Sequence, residues 1–171
     1  MMTIDIESMA IEMPVVAGHP NREAFRGVLT LVDVPSDRAP AGSRGHRVVL
    51  MRRAAEAALA SLLGMALDYS PTLDRHDVRR KVGIITRADI EGRKVELGGY
   101  LFARDFPEIV REIKRSGREP GKGLGMSYEI ADASVADIRA RVWTLTHVTF
   151  TGAAILRRDR AAYPETWIEL E

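Results

Sequence analysis

The sequence predicts an α+β protein built on a mainly antiparallel, barrel-like β-sheet with inserted helices. Three observations predict this class. About six segments rich in β-branched and aliphatic residues follow one another, most of them without an intervening helix. Two of these segments are separated only by Glu91-Gly92, which suits a β-hairpin. Helical spacing of apolar residues occurs in only two longer segments, so a regular parallel α/β fold is disfavoured.

The strands are predicted from short apolar runs bounded by turn residues. In chain order they are residues 25–34, 82–90, 93–103, 124–130 and 141–156, the last of which reads as one or two strands. Polar segments rich in Pro, Ser, Asp and Gly are expected to be surface loops, at 35–45, 68–81 and 118–125, and a short turn or helix is expected at 134–140. The expected organisation is a lead-in, a main domain and a tail, at 1–22, 23–158 and 159–171.

Two helices are predicted. The segment 47–65 is expected to form a helix that stops near Gly64. The apolar residues that recur at helical spacing are Ala55, Ala58, Leu59, Leu62, Leu63 and Ala66. The second helix lies within 105–117, where Asp105 is placed to cap the first turn and Gly117 can end the last. Its basic residues cluster toward the C-terminal end, where the helix dipole favours them.

Composition limits the function classes. The 171 residues are 46% hydrophobic, which suits one domain with a substantial core. Twenty-five Lys plus Arg against 24 Asp plus Glu leave a formal charge of +1, so no overall field favours nucleic acid or an anionic membrane. The lack of cysteine excludes disulfides, thiolate zinc sites and thiol nucleophiles. No signal peptide or membrane span is recognisable, so a soluble, cytosolic-type protein without cofactor or metal is expected.

A serine in the segment 123-GLGMSYEI-130 is the first candidate for chemistry. In a strand, residues two apart share a face, so Ser127 is predicted to lie with Gly125 and Glu129, opposite Met126 and Tyr128. A serine hydroxyl becomes a useful nucleophile only when a base accepts its proton, and histidine is the usual base at neutral pH. The ordinary alternative is a solvated serine on the outer face of a strand.

Two of the four histidines are candidate bases. His76 lies between Asp74 and Asp77 in a polar loop, and His147 lies in a strand on the face of Trp143, where partial burial is expected. Considered alone, each is better explained as an ordinary histidine, His76 as a loop histidine near acids and His147 as a core histidine with a hydrogen-bonding partner. Asp74, His76 and Asp77 could also contribute to a hard-metal site, although no helical histidine pair supports one.

Two glycine-containing motifs are weak. The segment around Ser127 has Glu129 where a nucleophile elbow has its second glycine. The run 121-GKGLG-125 lacks the Lys-Ser/Thr ending of a phosphate-binding loop and precedes a strand.

Taken in order, the elements between about residues 25 and 158 resemble the prohead (capsid maturation) proteases of tailed phages, which share a fold with herpesvirus assemblin. The resemblance rests on an opening strand, a loop carrying His76, a hairpin and helix, the serine strand 124-LGMSYEI-130, and 142-VWTLTHVTFTGAAIL-156. The chain departs from the family where Tyr128-Glu129 follows the serine in place of Ile-Gly-Phe, and where 147-HVTFTGAAIL-156 replaces an acid-x-Ser followed by Pro-Ala.

The resemblance implies a serine endopeptidase whose protease domain spans 23–158. Ser127 would be the nucleophile, His76 the general base and His147 the third member, with Glu129, Asp74 and Asp77 as alternatives for the third role. Arg157 or Arg158 would help to hold the oxyanion, through the backbone or a bound water.

The substrates implied are phage scaffold and major capsid proteins, cut inside the assembling prohead in the bacterial host cytoplasm. The enzyme would be a homodimer or higher homo-oligomer. Two different functions stay open. The first is a catalytically inactive capsid-assembly or scaffold-binding protein of the same fold. The second is a metal-dependent hydrolase built on Asp74, His76 and Asp77.

Overall fold

The computed structural model describes residues 8–117 and 123–171, and these form an α+β fold around one curled, mixed sheet. The described residues contain nine strands: β1 Ser8–Ala10, β2 Glu23–Leu31, β3 Arg47–Leu50, β4 Ala66–Asp68, β5 Lys81–Glu91, β6 Lys94–Leu101, β7 Leu124–Val135, β8 Val142–Arg157 and β9 Trp167–Leu170. The predicted α+β class and the dominance of antiparallel pairing are confirmed, but the sheet is mixed.

The long strand β8 organises the sheet. The main path runs β3-β8-β4-β5-β6-β2-β9, while β7 pairs with β8 and β1 pairs with β5. β8 is parallel to both β3 and β4, and the other pairings are antiparallel. Ala154 of β8 has Asp68 of β4 as one Cα partner and Ser127 of β7 as another, so these two strands flank β8 on opposite edges.

The predicted helix at 47–65 is wrong in its first part. Residues 47–50 form β3 because Val48 and Val49 suit a strand and pair with the edge of β8. Helix α1 is Arg52–Ala58, and a 3-10 turn follows. The α-helix therefore ends six residues before the predicted stop near Gly64, and the 3-10 turn ends at Leu62. Gly64 follows with a φ of 80°, a value that favours glycine.

The predicted second helix is confirmed as α2, Pro107–Ser116. Asp105 does not cap it, because the N-cap is Phe106 and makes no side-chain cap bond. The Asp105 carboxylate instead accepts a hydrogen bond of 3.0 Å from Asn21. Gly117 ends the helix with a φ of 57°, as predicted.

The core lies inside the curl of the sheet. Its largest fully buried side chains include Phe25 on β2, Leu97 on β6 and Phe150 on β8. Gly27 on β2 lies so close to Met126 on β7 that an added Cβ would come within 2.9 Å of the methionine sulfur. β2 and β7 therefore pack closely across the interior of the curled sheet without pairing.

Both ends of the described chain join the sheet. β9 contains Trp167 and Ile168 and pairs with β2, so the predicted tail joins the sheet. Part of the predicted lead-in forms β1, while residues 1–7 and the part of the predicted loop at 118–122 lie outside the described residues. Within 8–117 and 123–171, no helix has the length and apolar character needed to cross a membrane.

Candidate active site

Strand alternation places Ser127 as predicted. Met126 is 1% exposed and points into the core, whereas Ser127 is only partly buried and lies on the opposite face of β7. Its Cα partner on β8 is Ala154, whose small side chain leaves room above the strand. The next partner across β8 is Asp68, so three adjacent strands bring a serine and an acid onto one face.

His76 reaches Ser127 from the loop that follows β4. Its Nε2 lies 3.2 Å from the Ser127 Oγ, within hydrogen-bonding distance. Two backbone contacts hold this loop. The N–H of Asp77 donates to Asp68 Oδ1 at 2.9 Å, and the N–H of Arg157 on β8 donates to the Leu73 carbonyl at 2.7 Å. The backbone on either side of His76 is thus held in place, at Leu73 and at Asp77.

Glu129 contacts the other nitrogen of the same ring. Its Oε1 lies 2.8 Å from His76 Nδ1. An ionised carboxylate only accepts hydrogen bonds, so Nδ1 carries the proton and Nε2 is left with a lone pair facing Ser127. This is the tautomer that a general base for serine requires.

Gly152 makes room for Glu129. The two residues are Cα partners on β8 and β7, and a Cβ added at Gly152 would lie 3.0 Å from Glu129 Oε2 and 3.2 Å from the Ala66 carbonyl oxygen. The glycine thus lets the glutamate side chain lie over β8 toward His76. The sequence shows Glu129 two residues after the serine, but the register that pairs it with Gly152 is set by the sheet.

Sequence reasoning missed Asp68. The predicted polar loop 68–81 puts it at the surface, but it ends β4 and is fully buried. β4 is only three residues long, and its position between β5 and β8 buries this acid. Its Oδ1 lies 3.9 Å from His76 Nδ1.

The two acids differ in their ionisation. Burial, and then the neighbouring Glu129, raise the pKa of Asp68 from 3.8 to about 7, against the opposing effects of the Asp77 N–H and Lys81. Burial also acts to raise the pKa of Glu129, but interactions with the Asp68 carboxyl and with His76 outweigh it and hold this pKa below its ordinary value. Near neutral pH, Glu129 is the carboxylate of the pair and Asp68 retains much of its proton.

The expected third member, His147, is not in this cluster. Its Cα partner on β7 is Ser134, and it lies seven residues along β8 from Ala154, which at ~3.3 Å per residue is roughly 23 Å. The side chain is exposed, so the predicted partial burial is wrong. Glu129, also a candidate for this role, makes the contact with His76 instead.

Asp74 and Asp77, the two remaining candidates for the third role, have different partners. Asp74 accepts hydrogen bonds from Thr72 and Ser70, and these contacts lower its pKa. The Asp77 carboxylate accepts from the N–H of Arg79 at 3.1 Å. Both carboxylates therefore stabilise the loop on which His76 is held.

The backbone N–H groups of the two arginines expected to hold the oxyanion, Arg157 and Arg158, already donate to other carbonyls. The N–H of Arg157 donates to the Leu73 carbonyl, and that of Arg158 donates to the Gly123 carbonyl at 3.1 Å. The Arg157 side chain pairs with Asp159 at 3.2 Å, and the Arg158 side chain is buried. Between His147 and Arg157 the chain is the continuous strand β8.

The described residues contain one group of side chains with donor atoms close enough to share a metal ion. One donor atom from each of Asp68, His76 and Glu129 lies within 4.8 Å of the other two. This set differs from the predicted Asp74, His76 and Asp77, of which it retains only the histidine.

Comparisons with known proteins identify no relative. The chain matches no protein-family model, no curated protein and no solved structure. The site is therefore interpreted from its own geometry.

Proposed function

We propose that the protein is a serine endopeptidase in which Ser127 is the nucleophile, His76 the general base and Glu129 the acid that orients His76. One observation carries this proposal: a single imidazole has a serine hydroxyl 3.2 Å from one nitrogen and a carboxylate 2.8 Å from the other. This serine–histidine–acid arrangement is recognised by geometry and recurs in several chain orders on unrelated folds.

The proposed reaction has two halves. Ser127 Oγ attacks the peptide carbonyl carbon while His76 Nε2 takes the hydroxyl proton, and Glu129 stabilises the imidazolium through Nδ1–H. When the tetrahedral intermediate collapses, the C–N bond breaks and His76 gives that proton to the leaving amine. Water then attacks the acyl-enzyme ester, again losing a proton to His76. The acid product leaves, and the proton returns to Ser127 Oγ.

The proposed substrates are scaffold and major capsid proteins of a tailed phage. The support is the resemblance to prohead proteases, in which a histidine loop precedes a serine strand, together with the curled, mainly antiparallel sheet. We place the activity inside the assembling prohead in the host cytoplasm and assign it to a homodimer or higher homo-oligomer. The acid at the third position, Glu129, lies on the serine strand itself.

The rival proposal is a catalytically inactive assembly or scaffold-binding protein of the same fold. It is favoured if Ser127 and His76 lie far apart, and their separation of 3.2 Å favours the enzyme instead.

Co-expression tests the proposal. The protein is produced with its neighbouring scaffold and capsid proteins, as wild type and as Ser127→Ala, and the products are compared by intact mass. New termini that appear only with the wild type are expected. Identical product masses in the two samples would remove the protease proposal.

A further inference from the structure

We propose that Asp68, His76 and Glu129 bind a divalent transition-metal ion of the zinc type, and that the bound ion switches the proposed hydrolase off. The inhibitory half of this inference rests on the proposed function. The binding half depends only on the three side chains.

The donor atoms are spaced for such an ion. His76 Nδ1 lies 2.8 Å from Glu129 Oε1 and 3.9 Å from Asp68 Oδ1. Zinc binds nitrogen and carboxylate oxygen at about 2.0 to 2.2 Å, so two ligands of a tetrahedral ion lie about 3.3 Å apart. The observed separations lie on either side of that value. The third separation, between the Asp68 and Glu129 oxygens, is at most 4.8 Å. Shifts of about 1 Å per donor would let all three reach one ion.

The burial of Asp68 supplies a second, independent observation. Its side chain is 0% exposed, and its Oδ2 makes no hydrogen bond within residues 8–117 and 123–171. A buried polar oxygen that accepts no hydrogen bond is unfavourable, because burial removes its water without replacing it. A cation held between Asp68 and Glu129 would remove that cost.

The donor set selects the class of ion. One imidazole nitrogen with two carboxylates suits zinc and similar transition metals, and three protein ligands leave a fourth position for water. Magnesium and calcium prefer sites made wholly of oxygen, so the histidine makes them poorer ligands here.

Metal binding would remove the base through its effect on the ring proton. In the proposed active form, Nδ1 carries the proton and Nε2 accepts from Ser127. An ion on Nδ1 needs the lone pair of that nitrogen, so the ring proton moves to Nε2. His76 can then no longer accept the serine proton. Inhibition therefore follows from the tautomer, without movement of any strand.

Calorimetric titration of the metal-free protein with zinc chloride tests binding. One site is expected in the wild type and in Ser127→Ala, with affinity weakened at least about tenfold in Asp68→Asn and in Glu129→Gln. His147→Ala, which removes an exposed histidine outside the donor set, should retain the site. Circular dichroism checks that each variant is folded. Unchanged affinity in both Asp68→Asn and Glu129→Gln would overturn the inference.

Labelling of Ser127 by a fluorophosphonate tests inhibition. Saturating zinc should slow wild-type labelling at least about tenfold, and EDTA should restore it, while Asp68→Asn should lose this zinc effect. If the protein binds zinc but its labelling rate does not change, the proposed inhibition is overturned. Zinc binding that needs Asp68 and Glu129, in a protein that is never labelled, would support the metal site and remove the proposed function.

Discussion

Replacing Asp68 by asparagine should stabilise the fold, and more strongly as the pH rises. Asp68 is fully buried, and burial beside Glu129 raises its pKa from 3.8 to about 7. A carboxyl whose pKa is raised by folding binds its proton more tightly in the folded state. It therefore costs stability at any pH above its unfolded pKa, and the cost grows until the pH passes the folded pKa.

The magnitude follows from the size of the shift. About three pKa units correspond to about 4 kcal/mol once both states are ionised, because each unit is worth about 1.4 kcal/mol. At about pH 5 the cost is about 1 to 2 kcal/mol, since the folded carboxyl still holds its proton. The advantage of Asp68→Asn over the wild type should therefore grow by about 2 to 3 kcal/mol between about pH 5 and about pH 8.

Urea unfolding measures this difference. The free energy of unfolding of both proteins is determined at the two pH values from tryptophan fluorescence, with EDTA present so that only protons occupy the site. Asp159→Asn, which removes an exposed carboxylate, is the matched control and should show no comparable trend. An advantage of Asp68→Asn that is equal at both pH values would refute the reasoning about the buried acid.

Three further predictions concern single residues. Gly152→Ala should slow fluorophosphonate labelling about tenfold in protein that still folds, because its Cβ would displace the Glu129 carboxylate; an unchanged rate would contradict the role given to that glycine. His147→Ala should leave the labelling rate within about twofold of wild type, since this exposed residue lies roughly 23 Å along β8 from Ala154, the partner of Ser127. A large loss of labelling would show that His147 takes part in the site. Thr166→Val should lower the free energy of unfolding by about 1 to 3 kcal/mol in urea, because the Met126 N–H loses the hydroxyl that accepts it at 3.1 Å, and equal stability would contradict this account.

Local patterns predicted much of the serine strand. Period-two alternation put Ser127 and Glu129 on one face of β7, and the structure confirms both positions. The third member could not be chosen in the same way. The order of residues along the chain does not measure distance in space, and His147 lies at the far end of a strand whose other end passes Ser127.

Tertiary packing explains the remaining errors. Asp68 resembles a loop residue because a polar run with Pro71 follows it, and a strand as short as β4 has too few residues for a pattern. Its burial arises from the strands on either side. The helical spacing begins only at Ala55, and Val48 and Val49 before it are β-branched residues whose conformation is decided by pairing with β8.

Covalent labelling is the most direct test of the central claim that Ser127, His76 and Glu129 act together. The wild type, Ser127→Ala, His76→Ala and Glu129→Gln are treated with a fluorophosphonate and followed by intact mass, with peptide mapping of the adduct. We predict one adduct on Ser127 in the wild type, none in the first two variants, and labelling slowed about a hundredfold or more in Glu129→Gln. Labelling of His76→Ala at the wild-type rate, or no adduct on the wild type, would contradict the account.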